Sequence, residues 1–292
     1  MDMITKSDRN KERRGTKIAL VGESGVGKTT QLFSLPAKET IFIDLEAGDL
    51  AVDEWEGMAI RPRTWDECVM LAALIGGPNP SLPDNAPYSQ KYFDFYKNKN
   101  GDFYEKLQTY KYLFVDSLTH TGRLSFQHSS NTVGGMKDAR KAYGEHGQNM
   151  IKWLTQLQQA RHMHVIFLSI MNEKTDDNGI RSYSLQIEGS KTGEELPGIV
   201  DELITMAIMD RHTLNPYRAF VCEKLNPYGY PAKDRAGKLE MLEKPDLGAL
   251  IKKLQQPRSS NLMKSLNFEL PPAPEGAEVE NTPTEKEQSD VS

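Results

Sequence analysis

The stretch that decides the fold is Gly22-Glu23-Ser24-Gly25-Val26-Gly27-Lys28-Thr29, with Thr30 directly after it. It fits the pattern of a phosphate-binding loop (P-loop), in which backbone N–H groups converge on phosphate oxygens at the start of a helix. In this pattern Lys28 reaches the β and γ phosphates, and the hydroxyl of Thr29 binds Mg2+. The glycines permit the tight, partly left-handed path of the loop. The sequence therefore predicts a nucleotide site at residues 22–30.

Apolar runs on both sides of the P-loop indicate an α/β domain. Strand-length runs that alternate with helical patterns are typical of a mainly parallel sheet flanked by helices. A buried first strand is predicted at 17–21, and a helix is expected from Lys28 to Pro36. A hairpin is expected around Asp177-Asn178-Gly179, and a β-hairpin region follows near the C-terminus. The remaining strands are predicted at 40–45, 112–115, 165–168, 203–209 and 218–221, and the remaining helices at 64–75, 118–129, 147–161 and 246–255.

The length of 292 residues suits one large domain with additions. We expect a flexible N-terminus at 1–15, one domain at 16–256 and a disordered acidic tail at 257–292. An irregular insertion is expected at 77–110; its aromatic residues and lysines favour a small packed lid or interface over a nucleic-acid platform. Residues 271–292 hold six acids and one base, which equals the net charge of −5 of the whole chain. The tail is either a solubilising end or a segment that competes with nucleic acid or recruits a replication or recombination protein.

Composition excludes several classes of protein. Hydrophobic residues make up 38% of the chain, which is enough for a core. No apolar run approaches the roughly 18 to 20 residues of a membrane-spanning helix, and the N-terminus lacks the apolar region of a signal peptide. We therefore expect a cytoplasmic protein without a membrane partner. Cys68 and Cys222 stand far apart, so neither a disulfide framework nor a zinc site is indicated.

A second site motif is Tyr112-Leu113-Phe114-Val115-Asp116, a run of apolar residues that ends in an acid. Such a Walker B strand places its acid beside the P-loop at the carboxyl edge of the sheet. Asp116 is therefore predicted to hold Mg2+ through its water shell. The alternative is an aspartate that ends the strand and caps the following helix.

Two segments after the P-loop resemble those of RecA-type recombinases. Phe42-Ile43-Asp44-Leu45-Glu46-Ala47 resembles their second-strand motif, and Val115-Asp116-Ser117 resembles the end of their Walker B strand. In that family the acid matching Glu46 activates the attacking water, so the resemblance implies that Glu46 is the catalytic base, acting together with Lys28. Asp44 competes for that role, and Glu46 could instead be a solvated loop acid.

The more specific resemblance is to the phage and prophage nucleotide-binding proteins, which are single-domain RecA-like ATPases that include recombination and single-strand annealing factors. It covers roughly residues 16–255 and includes the late stretch Pro231-Ala232-Lys233-Asp234-Arg235-Ala236-Gly237. The resemblance implies a RecA-like P-loop ATPase that uses ATP and Mg2+, in the host cytoplasm if it is encoded by a phage. It also implies a homo-oligomer, either a ring or a filament. In the late stretch, Arg235 could touch the nucleotide of the same or a neighbouring subunit, or belong to an ordinary solvated turn.

The sequence departs from this family at the position of the γ-phosphate sensor. Recombinases of this type place a polar residue, usually glutamine, after the fourth core strand, and Ser169 or Asn172 would have to replace it. In such rings and filaments a neighbouring subunit supplies a cation to the γ-phosphate. Lys191 stands at about the matching place, although it could equally be a surface lysine.

Single-stranded DNA is the expected partner, and because a fold does not fix a function, DNA binding is inferred separately, from two loops. Two loops, 129–148 and 172–191, would face the axis of a filament, and their glycines, bases and aromatic residues suit backbone tracking and base stacking. These residue types suit any mobile loop as well. The main alternative to a DNA-dependent ATPase is a nucleotide-switched loader or scaffold for a replication protein, with little or no hydrolysis. A small-molecule kinase is a third reading, against which the absence of a clear arginine-rich lid argues.

Overall fold

A ten-stranded sheet runs through the part of the chain that this computed structural model describes, which comprises residues 3–5, 7–8, 14–132, 138–179, 181–188 and 190–257. The strands are β1 (Lys17–Gly22), β2 (Thr40–Asp44), β3 (Met58–Ile60), β4 (Tyr112–Asp116), β5 (His164–Thr175), β6 (Arg181–Leu185), β7 (Glu202–Met209), β8 (Tyr217–Val221), β9 (Lys233–Asp234) and β10 (Leu242–Glu243).

The strand order is β10-β8-β7-β1-β5-β4-β2-β3, while β6 pairs with β5 and β9 pairs with β7. From β3 to β7 every pairing along this path is parallel, and the pairings of β6, β8, β9 and β10 are antiparallel. The sheet is therefore mainly parallel, as the sequence predicts. β1, which leads into the P-loop, lies between β5 and β7, and all its residues are buried.

Helices cover both faces of the sheet. They are α1 (Trp65–Gly76), α2 (Gln90–Lys99), α3 (Gly101–Leu107), α4 (Leu118–Thr132), α5 (Ala139–Gln158), α6 (Ser190–Ile199) and α7 (Leu247–Gln255). Short 3-10 helices lie at Thr29–Ser34, Ala37–Glu39 and Asp49–Val52. None of the helices among the described residues is long and apolar enough to cross a membrane.

The two faces of β1 belong to two different hydrophobic cores. Ala19 and Val21 pack with α1, α4, α5 and α6 on one face. Ile18 and Leu20 pack with α7 and the 3-10 helix after the P-loop on the other face. Because successive side chains of a strand point to opposite faces, a continuous apolar run is what a strand buried on both faces requires. This explains why β1 is apolar without alternation.

The predicted insertion is less irregular than the sequence indicates. It contains α2 and α3, and Phe93 and Leu107 from these helices are buried in the core beside α1. The hydroxyl of Ser89 accepts a hydrogen bond from the backbone N–H of Tyr92, which caps the start of α2. The expectation of an irregular segment at 77–110 is therefore wrong for residues 90–107.

The two predicted DNA-facing loops are also largely regular structure. α4 continues to Thr132 and α5 begins at Ala139, where Asp138 accepts a hydrogen bond from the N–H of Lys141 and caps the helix. The second segment contains the end of β5, strand β6 and the start of α6, with the predicted turn between Thr175 and Arg181. The helix after the P-loop is a 3-10 helix over residues 29–34. The tail beyond residue 257, most of the N-terminus and residues 133–137 lie outside the described residues.

Candidate active site

The predicted site residues meet at the carboxyl edge of the parallel strands. In the sheet register Asp44 of β2 lies opposite Asp116 of β4, and Gly22 of β1 lies opposite Ile170 of β5. Glu46 follows β2 by two residues. Because parallel strands end at the same edge of the sheet, the P-loop, Glu46 and Asp116 are brought together there.

The P-loop has a backbone path that its glycines make possible. Gly22 lies so close to β7 that a Cβ atom at this position would be 2.4 Å from the carbonyl oxygen of Met206. Gly27 has a φ of +103°, which side chains other than glycine rarely adopt. These two constraints explain the glycine at each end of the loop.

The side chain of Lys28 is hydrogen-bonded to the backbone of the P-loop itself. Its Nζ donates hydrogen bonds to the carbonyl oxygens of Gly22 (2.9 Å) and Glu23 (2.8 Å). Burial lowers the pKa of this ammonium group, while the carboxylates of Asp116, Glu46 and Glu23 act in the opposite direction. The ammonium group of Lys28 therefore lies among three acids at the P-loop. The phosphates of a nucleotide would compete with the two backbone carbonyl oxygens for hydrogen bonds from this group.

Thr29 and Asp116 form the predicted metal pair. The hydroxyl of Thr29 donates a hydrogen bond of 2.5 Å to Oδ2 of Asp116. Burial raises the pKa of Asp116 to about 6, since the bond from Thr29 and the charge of Lys28 offset only part of the cost of burying the carboxylate. A hydroxyl and a carboxylate oxygen are ligands that Mg2+ accepts, and this ion usually keeps several waters and phosphate oxygens besides. The residues present therefore fit a magnesium ion bound with a nucleotide.

Glu46 and Asp44 differ in how firmly they are held. Asp44 is buried and accepts hydrogen bonds from Nε of Arg61 (2.9 Å) and from the N–H of Gly48 (3.0 Å). Glu46 is exposed, and Ser117, joined to Asp116 by a cis peptide bond, donates a hydrogen bond from its hydroxyl to Oε1. The carboxylate of Asp44 therefore organises the loop after β2, whereas that of Glu46 faces solvent beside Lys28. This arrangement favours Glu46 over Asp44 as the base.

Two hairpins project beyond the sheet edge on either side of the P-loop. β5 continues from Met171 to Thr175 past its last pairing with β1 and forms the β5–β6 hairpin. β7 pairs with β1 as far as Thr205, which lies opposite Val21, and then continues to Met209 and turns into β8. Four residues of strand correspond to about 13 Å. The P-loop therefore lies between two hairpins that extend beyond the carboxyl end of β1.

The β7–β8 hairpin contributes two arginines that sequence reasoning missed. Nε of Arg218 donates a hydrogen bond of 2.9 Å to the carbonyl oxygen of Val26, and Nη2 of Arg211 lies 2.6 Å from Oε2 of Glu23. The only available signal was that the strand predicted at 203–209 is parallel to β1 and must end at the same edge. Nothing local to Arg211 or Arg218 marks them as P-loop contacts.

The two sensor candidates lie on β5 but in different surroundings. Ser169 is fully buried opposite Val21 of β1, and its hydroxyl donates a hydrogen bond of 3.3 Å to the carbonyl oxygen of Ile170. Asn172 is exposed and pairs with Ser184 in the β5–β6 hairpin. Neither side chain has a contact with the P-loop among the hydrogen bonds of the described residues, so their role as sensors stays a prediction.

The two candidates for a cation supplied in trans lie far apart in the fold. Lys191 is exposed near the start of α6, and its aliphatic chain packs about 4 Å from where a Cβ of Gly147 in α5 would lie. Arg235 forms an ion pair of 3.1 Å with Asp201, which accepts a hydrogen bond from the N–H of Lys17. Lys17 begins β1, so Arg235 lies at the edge opposite the P-loop. Contact of Arg235 with the nucleotide of its own chain is therefore inconsistent with the structure, and its role toward a neighbouring subunit stays a prediction.

A known protein family matches most of this chain. The sequence model of a family described as AAA domain matches residues 14–236. No curated protein matches the sequence. Among solved structures, an ATPase from the type III secretion system of pathogenic bacteria is 15% identical, with a TM-score of 0.38; the match covers 66% of this chain and 51% of that one. The RadB recombinase is 13% identical, with a TM-score of 0.33, and the match covers 76% of this chain and 91% of that one. The chain thus spans about half the length of the secretion ATPase.

Proposed function

This chain belongs to the AAA domain family of P-loop ATPases, and from that premise we propose that it binds and hydrolyses Mg-ATP to control binding of single-stranded DNA. The proposed setting is phage recombination, single-strand annealing or replication in the host cytoplasm. The observation that carries the ATPase part is the convergence of Lys28, Thr29, Asp116 and Glu46 at one edge of the sheet. These four side chains would supply a cation for the phosphates, a hydroxyl and a carboxylate for the magnesium ion, and a general base.

Each of these residues has a distinct role in the proposed reaction. Lys28 leaves the carbonyl oxygens of Gly22 and Glu23 and binds the β and γ phosphates. Thr29 and Asp116 would hold a magnesium ion, which would supply neutralisation of the charge on the phosphates. Glu46, oriented by the hydroxyl of Ser117, accepts the proton of the attacking water.

The DNA part of the proposal rests on exposed cations in two segments, the β5–β6 hairpin and the first turn of α5. Lys174 and Arg181 are exposed on the β5–β6 hairpin, and Arg140 and Lys141 are exposed in the first turn of α5. Cations beside half-buried aromatic rings suit the backbone and the bases of a single strand. The ring of Tyr183 on this hairpin lies 4.8 Å from that of Tyr230, which adjoins the β7–β8 hairpin. Through this contact, a structural change at the P-loop would reach a single-stranded DNA bound to the β5–β6 hairpin.

The proposal includes assembly into a ring or filament. In that assembly Lys191 would approach the γ-phosphate bound by a neighbouring copy, and the acidic tail would recruit a replication or recombination protein. The exposure of Lys191 supports the first of these roles. Sedimentation of the full chain with and without Mg-ATP measures the assembly directly.

A specific observation favours a second function, that of a nucleotide-switched loader or scaffold with little or no hydrolysis. Ser169 is buried with its hydroxyl bonded to the backbone, and Asn172 pairs across a hairpin. Neither resembles a polar side chain that is free to sense a γ-phosphate. In this second function, nucleotide binding changes the conformation of the hairpins, and ATP is hydrolysed slowly or not at all.

One experiment separates the two functions. ATP hydrolysis is measured with and without single-stranded DNA for the wild type and for Glu46→Gln. We expect stimulation by DNA in the wild type, and loss of hydrolysis with retained nucleotide binding in Glu46→Gln. Absence of both stimulation and DNA binding in ATP would refute the DNA-dependent ATPase. Normal hydrolysis by Glu46→Gln would show that another group is the base.

A matched pair of double variants tests the DNA surface. Lys174→Ala/Arg181→Ala removes two cations from the β5–β6 hairpin, and Lys91→Ala/Lys99→Ala removes two equally exposed cations from α2. Fluorescence anisotropy with a labelled oligo(dT) is followed across a range of salt concentrations. The hairpin variant should bind more weakly and lose about 0.7 of the salt slope per contact removed. Equal behaviour of the two variants would place the DNA elsewhere.

A further inference from the structure

An exposed ion pair joins the β7–β8 hairpin to the P-loop. Nη2 of Arg211 lies 2.6 Å from Oε2 of Glu23, with side-chain exposures of 41% and 34%. Nε of the same arginine donates a hydrogen bond of 3.3 Å to the carbonyl oxygen of Ile208, which fixes the inner end of the guanidinium. Among the hydrogen bonds of the described residues, Glu23 alone holds the outer end of the guanidinium, which is accessible to solvent.

Glu23 lies where negative charge is costly once a nucleotide binds. Its carbonyl oxygen accepts a hydrogen bond of 2.8 Å from Nζ of Lys28, the group that the phosphates would attract. A carboxylate so close to a triphosphate repels it, and the repulsion is greater at a partly buried site than in water. Arg211 offsets the charge of Glu23 in the nucleotide-free chain.

The terminal phosphate is a stronger partner than Glu23 for the same guanidinium. It carries more negative charge than one carboxylate, and its oxygens match the planar fork of arginine. Glu23 is partly exposed and can be solvated when its partner leaves. Arg218 is not suited to such an exchange, because its Nε donates to the backbone carbonyl of Val26, on the loop itself.

We propose that Arg211 exchanges Glu23 for the γ-phosphate and so distinguishes ATP from ADP within one chain. The inference rests on the proposed binding of ATP at residues 22–30. It assigns a cation in cis to the terminal phosphate and gives Glu23 the role of holding that cation while the site lacks a triphosphate. Lys191 and Arg235 are not required for this discrimination.

The test is isothermal titration calorimetry of the full chain with Mg2+ and either ADP or the non-hydrolysable analogue AMP-PNP. Arg211→Gln should weaken AMP-PNP binding about tenfold or more, the loss expected for a hydrogen bond between charged groups. Its ADP affinity should stay within about twofold, since ADP lacks the group that Arg211 contacts. Glu23→Gln, which frees Arg211, should bind AMP-PNP as tightly as the wild type or more tightly. Lys111→Gln breaks another exposed ion pair, the one with Glu39, and should change neither affinity.

A purely structural role predicts a different pattern. If Arg211 only positions the P-loop through Glu23, Arg211→Gln and Glu23→Gln will weaken both nucleotides to the same extent, and the proposal is overturned. Unchanged AMP-PNP binding by Arg211→Gln also overturns it. A wild type that binds neither nucleotide would instead refute the proposed ATP site itself.

Discussion

The hydroxyl of Thr29, the first residue of the 3-10 helix after the P-loop, donates a hydrogen bond of 2.5 Å to Asp116, which ends β4 87 positions later. We expect Asp116→Asn to raise the Mg2+ concentration for half-maximal hydrolysis roughly tenfold to a hundredfold, the usual cost of altering a group that holds a metal through water. Asparagine still accepts the bond from Thr29, so ADP binding without Mg2+ should be unchanged. A titration of activity against Mg2+ measures the effect. An unaltered Mg2+ requirement would remove Asp116 from the metal site.

Asp44 and Glu46 should respond differently to loss of their charge. Glu46→Gln should lower the hydrolysis rate by roughly a hundredfold to ten-thousandfold, the range of a general base, and leave thermal stability unchanged because the side chain is exposed. Asp44→Asn should lower the free energy of unfolding by about 1 to 3 kcal/mol, because a buried acceptor of two hydrogen bonds is weakened. Kinetics and denaturant unfolding of both variants check this. The reverse pattern would make Asp44 the base.

Arg218 should act on nucleotide affinity more than on turnover. Arg218→Ala removes the hydrogen bond to the carbonyl of Val26, so the P-loop loses part of its preorganisation before the nucleotide arrives. We expect an increase in KM for ATP of about tenfold with a smaller change in kcat. Steady-state kinetics separates the two constants. A fall in kcat at constant KM would indicate a contact made only in the transition state.

Glu202 should make stability depend on pH. This first residue of β7 is buried, and its carboxyl group accepts hydrogen bonds from the N–H groups of Arg235 and Ala236. Burial, together with the nearby charge of Asp234, raises its pKa to about 8 from the usual 4.5. The folded state then binds more protons than the unfolded state between these values, so its contribution to stability is complete at low pH and is lost as pH rises through 8.

The window in which Glu202 acts without interference is pH 6.5 to 8. His164, whose pKa burial lowers to about 4 from 6.5, affects stability only below that window. Lys17, whose pKa burial lowers to about 8 from 10.5, acts above it. The wild type should lose about 1 to 2 kcal/mol of unfolding free energy across the window, and Glu202→Gln should flatten the slope. Urea denaturation at several pH values measures it; an identical slope in the variant would assign the effect to another group.

Local motifs explain which parts of the site the sequence could predict. The P-loop, Asp116 and Glu46 each follow an apolar strand, and strands that run parallel end at one edge, so their convergence follows from the fold class. The clustering of Asp44 with Arg61 and Gly48 depends on how the chain turns after β2, which no motif encodes.

Contacts between distant segments explain what the sequence could not predict. Arg211 is 188 positions from Glu23, and Arg218 is 192 positions from Val26. Arginines are common on exposed hairpins, and only the strand register shows which of them reach the P-loop. The helices of the insertion could not be predicted for a different reason. Glycine and proline before Ser89 suggest an irregular chain, whereas α2 and α3 are stabilised by the burial of Phe93 and Leu107 in the hydrophobic core that they share with α1.

The position of β1 between β5 and β7 has a mechanical consequence. Each neighbour is bonded to β1 up to the start of the P-loop and then continues, without an intervening loop, into a projecting hairpin. A shift of the P-loop backbone on phosphate binding would therefore act on both hairpins through the hydrogen bonds that pair β1 with β5 and β7. Because both hairpins are joined to β1 only at their bases, they would move together. Their outer ends would be displaced farther than the P-loop itself.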